Sequence, residues 1–113
     1  MEKKLFVEEE NLTVVELQEE LDQYTGDSVT ANTVGGIGTV LCMSGFNSYI
    51  DTCYGNKDVL FLNSDEGIGC DIHVEDIKEI KKDFMGQLYI KLKNEQTLQI
   101  SSENHGLFEY AKN

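Results

Sequence analysis

The chain has 113 residues, 40% of them hydrophobic, with five Phe and five Tyr; this suffices for one folded domain spanning 1–113 and argues against a disordered chain. Its formal net charge of -12 sets 21 acids against nine basic residues, all lysine. Without arginine the chain lacks the guanidinium fork that reads phosphate and guanine, and with this charge direct nucleic-acid binding is disfavoured.

Met1-Glu2-Lys3-Lys4 opens like the charged start of a secretory signal, but the apolar stretch after it ends at Val7, so no such signal is expected. Leu5 to Val7 suits a short strand, and Glu8-Glu9-Glu10 follows as an acidic arm. Leu12-Thr13-Val14-Val15-Glu16-Leu17 reads as a helix start. Thr13 is the N-cap, Glu16 closes a capping box, and Leu12 and Leu17 form a hydrophobic staple. Periodicity carries the helix from Val14 to Tyr24, with Val14, Leu17, Leu21 and Tyr24 on one face and Gly26 as its C-cap. The other face holds Glu16, Glu19, Glu20 and Asp22 with no lysine at i+4, so Glu16 and Glu20 repel.

The rest reads as strands. Ser28–Thr33 is short, and Gly35-Gly36-Ile37-Gly38 is a tip. Thr39–Ser44 and Asn47–Tyr54 flank Gly45-Phe46 as a hairpin, and Gly55-Asn56-Lys57 is the next turn. Val59–Leu62 is a continuous apolar run, the pattern of a central strand buried on both faces. After the turn Ser64-Asp65-Glu66-Gly67, Cys70, Ile72 and Val74 alternate with Asp71, His73 and Glu75. Val74–Ile80 bends or forms a helical turn. Leu88, Ile90 and Leu92 face Leu98 and Ile100 across Asn94-Glu95-Gln96 in an antiparallel hairpin. Leu107-Phe108-Glu109-Tyr110 suits a helix or an edge strand. The expected fold is α+β: one N-terminal helix packed on a mostly antiparallel sheet of about five to seven strands.

Catalytic patterns are sparse. Asp71, His73 and Glu75 would share a strand face and suit a divalent metal, but an exposed polar strand face explains the same spacing. Counted from Asn63, the twelfth position of a calcium loop is Val74, which is no ligand. Cys70 and His73 point to opposite strand faces, which disfavours a Cys–His pair. The Gly-rich tip lacks the Lys-Ser/Thr of a phosphate loop. Cys42, Cys53 and Cys70 match no paired-cysteine spacing, so half-buried reduced thiols in a cytoplasmic protein are expected. The expectation is a protein that is not an enzyme, with no cofactor and no metal.

What stands out is charge. Residues 1–76 carry sixteen acids and three lysines, whereas residues 77–113 carry five acids and six lysines. Glu8, Glu9, Glu10, Glu16, Glu19, Glu20, Asp22, Asp65 and Glu66 are the candidate partner-binding residues, with Asp51, Asp58, Asp71, Glu75 and Asp76 adding to the field. Such a field steers a basic protein partner, and a carboxylate array imitates nucleic-acid phosphates before a Lys/Arg-lined groove. Neither a membrane nor a nucleic acid is an expected partner.

The opening Leu12–Leu21, followed by Gly26-Asp27-Ser28-Val29, together with the Arg-free acidic composition, resembles small phage and mobile-element proteins of the anti-CRISPR, or anti-defence, type. That resemblance implies an inhibitor that masks a basic surface of a nucleic-acid-binding effector, several such proteins being DNA mimics. It covers Leu12–Val29 and the composition, and it carries no functional residue with it. The same electrostatics would serve an immunity protein neutralising a basic toxin, and a phage structural or assembly protein is a further alternative.

Overall fold

The computed structural model describes residues 9–34, 40–53 and 55–103. Strand β1 is Glu9–Asn11, helix α1 Val14–Asp22, β2 Val29–Val34, β3 Val40–Met43, β4 Asn47–Cys53, β5 Lys57–Asn63 and β6 Cys70–His73. A 3-10 turn at Val74–Asp76 leads into β7 Ile77–Asp83, β8 Leu88–Leu92 and β9 Thr97–Ser102. Among the described residues the fold is α+β, with one α-helix and antiparallel pairing throughout the strands.

The nine described strands form two sheets where one was expected. The larger runs β1-β7-β8-β9-β2-β3 and the smaller β4-β5-β6. One hydrophobic core joins them: Val29, Ala31, Met43, Ile80, Leu88, Ile90, Leu98 and Ile100 from the large sheet, Leu60, Leu62 and Ile72 from the small one, and Leu17 and Leu21 from the helix.

The helix begins as its sequence dictates. The Glu16 amide donates to Thr13 Oγ1 (3.1 Å) and the Thr13 amide to Glu16 Oε1 (2.8 Å), closing the capping box. Leu12, half-buried against the core, is anchored through its amide to the Ile80 carbonyl (2.9 Å). The helix stops at Asp22, short of the expected Tyr24, and Gln23 in αR geometry is its C-cap in place of Gly26. Tyr24 is nevertheless buried, and its hydroxyl donates to the Gly86 carbonyl (3.0 Å).

The expected hairpin around Gly45-Phe46 does not form: β3 closes one edge of the large sheet and β4 opens the small one. Phe46 is the reason. Its ring is buried and tilted against Tyr24. Its carbonyl accepts from the Gly26 amide (2.8 Å) while its amide donates to the Asp27 carbonyl (3.1 Å). These bonds pin the chain after the helix to the corner between sheets. Gly45 sits there at φ 60, and a Cβ at that position would run into the Asp65 carboxylate. Both constraints favour glycine.

The small sheet is a three-strand meander. The β4–β5 hairpin turns through Gly55 (φ 75) and Asn56 (φ 71). Leu60 and Leu62 of β5 enter the shared core as the apolar run foretold, while Val59 is fully buried on the opposite face and Phe61 half-buried there. The free edge of β4 is partly shielded by the helix, since Gln18 Nε2 donates to Ser48 Oγ (3.0 Å) and approaches the Ser48 carbonyl (3.5 Å). The β8–β9 hairpin forms as expected, with Glu95 at φ 73 in its turn. Strand β1, at the other edge of the large sheet, had no strand signal of its own. The expectations for Leu5–Val7, the tip at 35–38 and the 107–110 tail fall outside the described residues. Among the described residues, no helix is long and apolar enough to cross a membrane.

Candidate protein-interaction surface

The acids expected to bind a partner are placed in several different settings. Glu8 lies outside the described residues, and Glu9 and Glu10 belong to edge strand β1. On α1, Glu16 is occupied by the capping box, and Asp22 Oδ1 accepts from Gln18 Nε2 (2.8 Å). Glu20 pairs with Lys82 Nζ at 3.1 Å, both side chains being about a quarter exposed (22% and 28%). The compensating cation that the helix lacks at i+4 therefore arrives from β7. Glu19 is exposed. Asp65 and Glu66 are exposed in the turn after β5, where the Asp65 amide donates to the Ser44 carbonyl (3.0 Å). That turn and the helix end meet at one corner.

Lysine placement decides how much negative charge is left over. Lys57 pairs with Glu75 (3.0 Å), Lys78 with Glu95 (3.2 Å), Lys81 with Glu79 (3.5 Å) and Lys91 with Glu95 (3.5 Å), besides Lys82 with Glu20. The Lys57 ammonium, by hydrogen bond and by charge, holds the Glu75 carboxyl below its usual range, and Lys78 does the same for Glu95. Among the described residues, Glu10, Glu19, Asp51, Asp58, Asp65, Glu66, Asp71 and Asp76 have no ion-pair partner.

Two of these, Asp51 and Asp71, are exposed on the side of the small sheet that faces away from the shared core. The register puts Tyr49 opposite Phe61 and Phe61 opposite Asp71; in the next row Asp51 faces Val59 and Val59 faces His73. Directly opposed residues of antiparallel strands share a face. This side therefore carries Tyr49, Asp51, Phe61, Asp71 and His73, with Val59 fully buried among them, while Ile50, Leu60, Leu62 and Ile72 point to the core. The Tyr49 and Phe61 rings stack with centroids 5.0 Å apart and planes 23° apart, and Tyr49 is 47% exposed. The expected central strand buried on both faces is β5, with Val59, Leu60 and Leu62 fully buried, while Phe61 is half-buried beside Tyr49. Their pairing depends on the β4–β5 register, which sets Tyr49 opposite Phe61.

The metal reading of Asp71, His73 and Glu75 rested on one continuous strand. The strand ends at His73, Glu75 sits in the 3-10 turn, and its carboxylate is turned to Lys57. Among the described residues, no group of three His, Cys, Asp or Glu side chains is placed to hold a metal ion. The thiols also differ from expectation in part: Cys53 and Cys70 are half-buried but Cys42 is exposed, and all three are free. Burial, with a smaller push from Asp71, raises the Cys70 pKa above the ordinary thiol value, the opposite of what a nucleophile needs.

No family model and no curated protein matches this chain. Among solved structures, the chain is similar to the YojF protein of Bacillus subtilis, with a TM-score of 0.52 and 16% identity over 83% of this chain and 94% of that one. At that identity the likeness concerns the fold and says nothing of activity.

Proposed function

We propose that this chain is a non-enzymatic binding protein whose acidic surface seats on a basic surface of another macromolecule. The specific form we infer is an anti-CRISPR-like inhibitor that covers the nucleic-acid channel of a defence effector. The observation that carries the reading is the disposition of charge. Five lysines of the described residues are held in ion pairs within the chain, and exposed carboxylates such as Glu19, Asp51, Glu66 and Asp71 have no ion-pair partner among the described residues. A partner rich in lysine and arginine would be attracted over a distance set by the ionic strength, and its association would slow as salt is added.

The test is a low-salt capture of binding proteins from a CRISPR-bearing bacterial lysate, followed by competition with duplex DNA for the partner recovered. A nucleic-acid-binding partner that DNA displaces from this protein supports the reading. A partner that holds both at once removes the mimic, and a small basic toxin as partner moves the assignment to an immunity protein.

A further inference from the structure

We propose that the outward face of the small sheet is an arginine-reading docking surface, with the Tyr49–Phe61 stack at its centre and Asp51 and Asp71 at its sides, and that its occupant is an arginine-bearing segment of a basic protein. This rests on the reading that the chain binds a basic partner, and it names the place and the chemistry of the contact.

Three features of this face converge. The first is the aromatic pair. A solvent-facing tyrosine stacked on a half-buried phenylalanine offers a flat, rigid π-surface, and Val59, fully buried on the same side, lies outside the main core. Aromatic side chains of this kind serve as contact centres because they lose little conformational freedom on binding.

The second feature is the position of the carboxylates. Asp71 is across the sheet from Phe61, and Asp51 is two residues along β4 from Tyr49 on the same face. Adjacent strands lie about 4.8 Å apart and alternate residues of one strand about 7 Å apart, so both carboxylates lie within an arginine's reach of the stack. Asp51 Oδ1 accepts from the Thr52 amide (2.8 Å), which leaves Oδ2 for a ligand.

The third is that, among the described residues, no lysine pairs with these carboxylates. Lys57, at the end of the same face, is engaged by Glu75 at 3.0 Å and does not neutralise Asp51 or Asp71.

A planar guanidinium fits this arrangement because it stacks on an aromatic face and donates in the plane to a carboxylate at the same time. An ammonium gains the charge attraction without the stacking or the fork. Like charge disfavours a second copy of this chain, with its net -12, as occupant, and it disfavours nucleic acid.

The experiment compares a short oligoarginine peptide with oligolysine of the same length by amide chemical-shift mapping, at about 50 mM salt where the Debye length exceeds 10 Å. The expected result is a shift footprint centred on Tyr49, Asp51, Phe61 and Asp71, with oligoarginine bound about fivefold or more tighter than oligolysine. Tyr49→Ala and the double change Asp51→Asn, Asp71→Asn each remove that preference, while Tyr49→Phe retains it; unchanged urea midpoints show that these exposed positions leave the fold intact. A footprint on the α1 carboxylates, or equal affinity for the two peptides, overturns the docking site and leaves the basic-partner reading standing. Absence of binding by either peptide overturns both.

Discussion

The two sheets share a core but treat their solvent faces in opposite ways. On the large sheet, polar groups satisfy one another: Tyr89 donates to Asp83 (2.8 Å), Gln99 to Gln87 (2.9 Å), Lys81 meets Glu79 and Lys91 meets Glu95. A shallow depression lined by Glu79, Lys81, Tyr89, Lys91 and Thr97 is already lined by groups of both signs. On the small sheet, Asp51 and Asp71 flank a partly exposed aromatic stack and have no ion-pair partner among the described residues. Charges of both signs in contact mark a solvated wall. Carboxylates without a lysine partner beside a partly exposed aromatic pair mark a face suited to an external partner.

The largest expected effect comes from breaking the junction that holds the two sheets together. Phe46→Ala removes a buried ring at the corner and should cost about 3–5 kcal/mol, read as a fall in the urea midpoint. Gly45→Ala, which places a Cβ at φ 60 against Asp65, should cost about 1–2 kcal/mol by the same measurement.

A second effect is alkaline. Burial, and then the nearby Glu20, Asp83 and Asp27 carboxylates, push the Tyr24 pKa up to about 12 from 10.0. The folded chain therefore keeps the phenol proton after the unfolded chain has lost it. The stability contributed by neutral Tyr24 is complete below pH 10 and declines as pH rises toward 12, by about 2–3 kcal/mol in total. Tyr24→Phe should flatten that part of the stability–pH curve relative to the parent.

Smaller changes sharpen the contrast at the helix. Thr13→Ala breaks the capping box and should cost about 1 kcal/mol. Lys82→Met removes the partner of Glu20 in a partly exposed pair and should cost no more than about 1 kcal/mol. On the balanced face of the large sheet, Lys91→Met should move stability by less than about 0.5 kcal/mol and leave partner binding unchanged.

Legibility in the sequence followed the range of the interactions. The helix start was readable to the residue because its signals, Thr13, Glu16 and Leu12, act within one turn. The β8–β9 hairpin was readable for the same reason. Gly26 misled because a glycine after a helix suggests a C-cap, whereas its φ of 89 serves the turn that meets Phe46. The split into two sheets was not readable, since Thr39–Ser44 and Asn47–Tyr54 satisfy every local hairpin rule. What separates them is the burial of Phe46 against Tyr24, a contact between distant parts of the chain. The acidic field was visible as composition, but its effective part was not. Sequence placed Glu16 in the capping box but could not show that Glu20 is paired with Lys82, or that Tyr49 and Phe61 meet between Asp51 and Asp71.

The most direct test sets the two sheets against each other at equal net charge. One variant carries Asp51→Lys and Asp71→Lys on the small sheet; the other carries Glu79→Lys and Glu103→Lys at β7 and just after β9. The association rate of each with the captured basic partner is measured at low salt. The account predicts a fall of about tenfold or more for the small-sheet variant and a much smaller change for the other. Equal losses in the two variants would mean that net charge alone governs binding, and would contradict the claim that the small sheet holds the site.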